Sequence, residues 1–164
     1  MVSCINRRTI LAFLFIFVMV GCVNPTLPSN KKSAVVLFLT NSFKYNDVGF
    51  LQKDSGSASL ELFNAGILLF SFKATQSSIC INDKCYSNAL LIRRFFGDDS
   101  YLGLDFKAVL LGEPIFNKEG FLRNEFGFTQ TIKRSQGTLI YIVNKNGIYL
   151  KDSNQKLVLE IEYQ

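Results

Sequence analysis

The sequence predicts an α+β fold: a curved, half-barrel-like antiparallel sheet with two short helices packed on its concave side. Three observations carry this reading. Strand-length segments separated by turn residues fill 34–74 and 121–163, capped helix-length segments lie between Ser87 and Gly112, and strands and helices are segregated rather than alternating. The 164 residues, 48% hydrophobic and 19% charged, supply one core and exclude a disordered or collagen-like polymer.

The first strand is the apolar run Ala34-Val35-Val36-Leu37-Phe38-Leu39, whose two-faced hydrophobicity also admits a helix. Strands over 47–53 and 57–63 follow. In the second, Ala58, Leu60 and Leu62 alternate with Ser57, Ser59 and Glu61, as a half-buried sheet requires. Asn64-Ala65-Gly66 turns the chain into a strand over 67–74. Ile79 to Tyr86 reads as a hairpin on the two-residue turn Asn82-Asp83, both of which tolerate positive φ.

Ser87 can cap a helix running to Phe96, with Gly97 where a left-handed C-terminal residue belongs. Asp98, Asp99 or Ser100 can cap a second helix through about Leu111, stopped by Gly112 and Pro114. Leu90, Leu91, Phe95, Leu102, Phe106, Val109 and Leu110 give this pair its apolar faces. Strands resume over 121–133, 138–144, 147–151 and 157–163, with turns at Asn146-Gly147 and Asp152-Ser153-Asn154. The last strand sets Leu157, Leu159, Ile161 and Tyr163 against Val158, Glu160 and Glu162, so one sheet face should be wet.

Residues 1–22 read as a processing signal. Arg7 and Arg8 precede an apolar run from Ile10 to Val20 that is shorter than the ~20 residues a membrane span needs. Val18-Met19-Val20-Gly21-Cys22 resembles a bacterial lipobox, in which signal peptidase II cleaves before the cysteine and a diacylglyceryl group is attached to its sulfur; Met19 stands where the usual residue is leucine. The resemblance implies a lipoprotein with a signal peptide over 1–21 and a lipidated, palmitate-bearing Cys22; the Pro-, Asn- and Ser-rich composition then gives a lipidated N-terminus and tether over 22–33, and length and pattern a single domain over 34–164. Val23, where inner-membrane retention favours aspartate, implies an outer-membrane address, and the expected orientation there is periplasm-facing. Loss of Arg7 and Arg8 lowers the net charge from +5 to +3, and no long basic run suggests a nucleic-acid surface.

Once Cys4 leaves with the signal and Cys22 takes the lipid, Cys80 and Cys85 remain. The hairpin makes them a non-hydrogen-bonded pair with close Cα atoms, a geometry that accepts a disulfide in an oxidising compartment. So short a loop gives about 2 kcal/mol, enough to pin a hairpin rather than create the fold. The spacing is not Cys-x-x-Cys, and two thiolates without histidine make a poor zinc cage.

Absence of histidine removes most common catalytic and zinc-binding constellations. Asp54-Ser55-Gly56 has the form of an aspartic-protease motif, but one copy would need a homodimer, and a hairpin turn explains the same residues. No serine–lysine spacing stands out, and Asp98-Asp99 offers too few ligands for calcium. The expectation is a non-enzymatic protein with no catalytic residue, metal or cofactor.

A lipid-tethered domain of this size and element order is similar to the LolA/LolB class of lipoprotein carriers. Tyr101 through Pro114, ending Leu110-Leu111-Gly112-Glu113-Pro114, looks like the short leucine-rich helix with a Gly-x-Pro exit found midway in LolB-like sequences. The chain departs from that class in having no tryptophan, and the family's exposed leucine loop is not located by sequence. The overall pattern, including Cys80 to Gly97, also resembles small outer-membrane lipoproteins.

The carrier resemblance implies a half-barrel and helical lid around an apolar cavity for acyl chains. The 16 phenylalanines suit either a filled aromatic core or the lining of such a cavity. The candidate lining residues are Phe70, Phe72, Phe95, Phe106, Leu110, Phe126 and Phe128. The functional expectation is a membrane-anchored protein binding a hydrophobic ligand or lipidated client in lipid or lipoprotein trafficking. The alternative is a protein-interaction lipoprotein with a filled core, such as an envelope-assembly subunit or surface adhesin.

Overall fold

A computed structural model describes residues 30–41, 43–97 and 99–164. The signal segment, Cys22 and Asp98 lie outside the described residues. Alternating burial builds one antiparallel sheet of 11 strands. The first six are β1 (Lys31–Thr40), β2 (Lys44–Lys53), β3 (Ala58–Asn64), β4 (Ile67–Ala74), β5 (Ser78–Ile81) and β6 (Lys84–Ser87). Helices α1 (Asn88–Phe96) and α2 (Phe106–Leu111) follow. The chain returns through β7 (Phe121–Asn124), β8 (Gly127–Arg134), β9 (Gly137–Asn144), β10 (Gly147–Asp152) and β11 (Leu157–Tyr163).

Each half is a meander, and β11 joins them by pairing with β1, from Ala34↔Tyr163 to Thr40↔Leu157. Strands β6 and β7 are left as edges, so the sheet is an open half-barrel. Partners across the ladder share a face. Val36, Phe38, Ile161, Leu159, Ile148 and Leu150 fall on the concave side and are almost fully buried. Both helices lie over that side, α1 against β5 and β6, α2 against β2, β3, β4 and β10.

Because every turn reverses the chain, the half-barrel has two rims. The proximal rim holds the entry to β1 at Lys31 and the turns after β2, β4, β7 and β9. The distal rim holds the turns after β1, β3, β5, β8 and β10. At about 3.3 Å per residue, the 10 residues of β1 put these rims roughly 30 Å apart.

The Cys80/Cys85 hairpin follows the sequence reading. Cys80 pairs with Cys85 and Ile81 with Lys84, Asn82 and Asp83 have φ of 46° and 68°, and the disulfide is formed across Cα atoms 3.9 Å apart. Helix α1 is capped by Ser87 and stopped by left-handed Gly97, as read.

Four boundaries need correction. Strand β2 begins at Lys44, not near residue 47, because Lys44 pairs with Leu39 of β1. Strand β1 begins at Lys31, inside the expected tether, because it matches the full length of β2 through Lys31↔Gln52 and Lys31 pairs with Glu61 at 2.6 Å. Helix α2 begins at Phe106, not near residue 100. Turns through Tyr101 and Leu104 intervene, and Asp105 supplies the cap, accepting from the amides of Lys107 and Ala108 at 2.9 and 3.1 Å. The expected strand over 121–133 is a hairpin, split where the Asn124 side chain accepts from the Phe126 amide at 3.0 Å.

Candidate functional site: an apolar cavity under the first helix

Helix α2 fills the middle of the concave face. Phe106, Val109 and Leu110 are buried there, and the Tyr141 phenol donates to the Val109 carbonyl at 3.1 Å. Burial pushes that phenol's pKa well above its usual 10. At the proximal end Lys53 Nζ donates to the Leu111 carbonyl at 2.8 Å and lies 3.3 Å from the Tyr163 hydroxyl. Burial, with Lys32 nearby, lowers the Lys53 pKa, and Glu113 works against that shift.

Beneath α1 the buried rings of Phe38, Phe72 and Phe95 form the floor of a partly open pocket. A cavity of about 670 Å³ runs from the distal rim to the open edge at β6. Phe38 and Thr40 of β1, Phe43 of the following turn, Phe70 and Phe72 of β4, Ile81 of β5 and Tyr86 of β6 form its sheet side. Leu90, Leu91, Arg93, Arg94 and Phe95 of α1 form its lid. Ring contacts fix the wall: Phe43 stands 4.7 Å from Phe70, and Phe38 stands 5.9 Å from Phe72 and 6.1 Å from Phe95. Arg93 is held at the mouth by Asp99, 2.5 Å from its Nε. The lining offers aromatic and aliphatic faces, two hydroxyls and two guanidinium groups, the chemistry of an apolar ligand with a polar end.

Of the residues expected to line a cavity, Phe70, Phe72 and Phe95 do so. Phe106 sits behind them, its ring 5.8 Å from Phe72 and 5.7 Å from Phe95. Leu110 and Phe128 belong to the filled core, Phe128 packing on Tyr141 at 5.6 Å. Phe126 is a plain correction: it stands at the tip of the β7–β8 turn, 62% exposed. A turn residue beyond the last ladder pair, Asn124↔Gly127, has no facing strand to pack on.

The sequence reading missed the apolar tip of the β3–β4 hairpin. Ile67, Leu68 and Leu69 are 68%, 48% and 50% exposed. β2 pairs with β3 only from Leu62 backwards, and β4 meets β5 only from Phe72 onwards, so the tip is paired with itself alone. A register shift at Leu62/Phe63 bends it away, and the Tyr45 hydroxyl fills the gap by accepting from the Phe63 amide at 3.0 Å. Three consecutive aliphatic residues after Gly66 break the period of two, and that break is the signal that was available. The tip stands on the distal rim, the rim at which Thr40 and Phe43 line the distal end of the cavity. No protein-family model and no curated protein matches the chain.

Proposed function

We propose that this chain is a non-enzymatic, lipid-anchored protein of the outer membrane that takes an acyl chain, or the acyl groups of a lipidated client, into the cavity under α1. The observation that carries this is the pairing of that cavity with the exposed Ile67-Leu68-Leu69 tip on the same rim. The volume of about 670 Å³ lies within the ~300–1,000 Å³ usual for ligand pockets. An apolar tip on the rim that the cavity reaches is what a donor membrane or an acylated client would meet first. The open half-barrel, the helical lid and the exposed leucines are the features that the LolB resemblance leads one to expect, which supports a role in lipid or lipoprotein trafficking.

The test is native mass spectrometry with lipid extraction on the chain from Val23 onward, which retains every described strand and helix but lacks the anchor. Bound acyl lipid or lipopeptide is expected, and Leu68→Glu should slow its loading without unfolding the domain. A clean apo mass that takes up neither would overturn the reading. The continuous buried core beneath both helices favours a second reading, an interaction protein, for which the same preparation would stay free of lipid and cross-link to a protein partner.

A further inference from the structure

The proximal rim carries an apolar feature that the cavity does not explain. Leu122 of β7 is 71% exposed and Phe126 of the next turn 62%. Neither is thrown outward by a loose loop. The Asn124 side chain accepts from the Phe126 amide at 3.0 Å, and in the adjacent turn Asn144 accepts from the amides of Asn146 and Gly147 at 2.8 and 3.1 Å. These two ordered turns hold Lys145 Nζ 5.5 Å from the centre of the Phe126 ring. The flanking charges are Arg123 and Glu125. An aromatic ring beside a lysine whose stem can lie along an apolar surface suits a membrane–water interface.

Chain geometry selects which surface. The chain enters the fold at Lys31, on this same rim. Cys22 stands nine residues before Lys31, a covalent reach of at most about 30 Å, and the distal rim lies about 30 Å from Lys31 along β1. A lipid on Cys22 therefore reaches the proximal rim, four strands along the sheet from β1 to the β7–β8 hairpin, with chain to spare, whereas the distal rim lies at the limit of that reach.

We infer that the proximal rim is a second membrane contact: Phe126 and Leu122 seat in the interface of the bilayer that holds the protein's own anchor. The distal end of the cavity and the Ile67-Leu68-Leu69 tip then face away from that bilayer, toward an incoming client. This inference rests on the lipid-anchored reading.

The chain has no tryptophan, so Phe126→Trp installs a lone reporter. The full-length chain, matured with its own signal, is reconstituted in vesicles of phosphatidylethanolamine and phosphatidylglycerol. Leu122→Trp serves as an independent reporter and Leu68→Trp marks the distal rim. The expected result is blue-shifted emission from the Phe126→Trp and Leu122→Trp proteins, with most of the intensity lost to headgroup-level doxyl lipid, and unchanged emission from Leu68→Trp. Unquenched proximal reporters, or a quenched Leu68→Trp, on a protein whose mass includes the diacylglyceryl group would overturn this contact while leaving the anchor intact. A mass without that group would overturn the anchored reading itself, and this inference with it.

Discussion

The phenol of Tyr101 donates a hydrogen bond to the carboxylate of Asp152, 51 residues further along the chain, and both side chains are fully buried. Asp152 also accepts from the amides of Asn154 and Lys156 at 3.0 and 3.4 Å. The bond fastens the segment between the two helices to the distal turn after β10, and the Tyr101 ring stacks on Phe96 of α1 at 4.0 Å. The lid over the cavity is thus held from its C-terminal end. Tyr101→Phe keeps the stack and removes the donor, which should destabilise the fold by about 1–3 kcal/mol. Urea unfolding should give a lower midpoint with an unchanged m-value. A wild-type midpoint would mean that the bond contributes nothing.

A second fastening was invisible in the sequence. Gln130 is fully buried on β8; its amide accepts from the Ile115 amide at 2.8 Å and donates to the carbonyls of Ile115 and Glu119 at 2.9 Å each. It brackets Phe116, Asn117 and Lys118, all at positive φ, a conformation that ordinary residues adopt at roughly 1–2 kcal/mol each. Gln130→Leu, similar in volume, should cost about 3 kcal/mol and remove hydrogen-exchange protection from the Ile115 amide. Retained protection there would show that another contact holds the turn.

Alkaline pH should act on the buried Tyr141 and the half-buried Lys53 in opposite directions. The Tyr141 pKa is raised in the folded state, so its contribution is constant below the unfolded value of 10.0 and is lost as pH climbs past it. Lys53 has a lowered folded pKa, so the penalty for burying its charge is relieved as pH rises toward 10.5. Urea midpoints at about pH 9 and about pH 11 should fall less for Tyr141→Phe than for wild type, and more for Lys53→Met. Parallel slopes in all three proteins would remove both groups from the account.

Much of the architecture was legible because it is local. Alternation in 57–63 and 157–163, the Asn82-Asp83 turn, and the Ser87 and Gly97 caps each follow from a few adjacent residues. The Cys80/Cys85 pairing needed only the hairpin register. What was not legible depends on distant partners: Asp105, not Asp99 or Ser100, caps α2 because turns through Tyr101 intervene, and Lys31 joins β1 because β2 is there to pair with it. The cavity was half legible for the same reason. Composition supplied phenylalanines without saying which lie beneath α2 and which beneath α1, so Phe72 and Phe106 looked alike, and Phe126 gave no sign of standing outside a ladder.

The disulfide should matter to the cavity as well as to the hairpin. Ile81 and Tyr86, the residues next to Cys80 and Cys85, line the open edge, and β6 runs directly into the Ser87 cap of α1. Replacing both cysteines by serine should cost about 2 kcal/mol, lowering Tm by about 6–10 °C, with faster hydrogen exchange in β6 and the first turn of α1. Unchanged exchange there would confine the bridge to a local role.

The central claim is that the space under α1 receives an acyl chain. The most direct measurement is a titration of a fluorescent fatty acid into the chain from Val23 onward, beside an Ile81→Trp variant that plugs the open edge without touching the core beneath α2. Saturable uptake by the parent chain is expected, with binding at least about tenfold weaker in Ile81→Trp at a comparable Tm. No saturable uptake, or equal uptake by the plugged variant, would contradict the assignment of this cavity as the site.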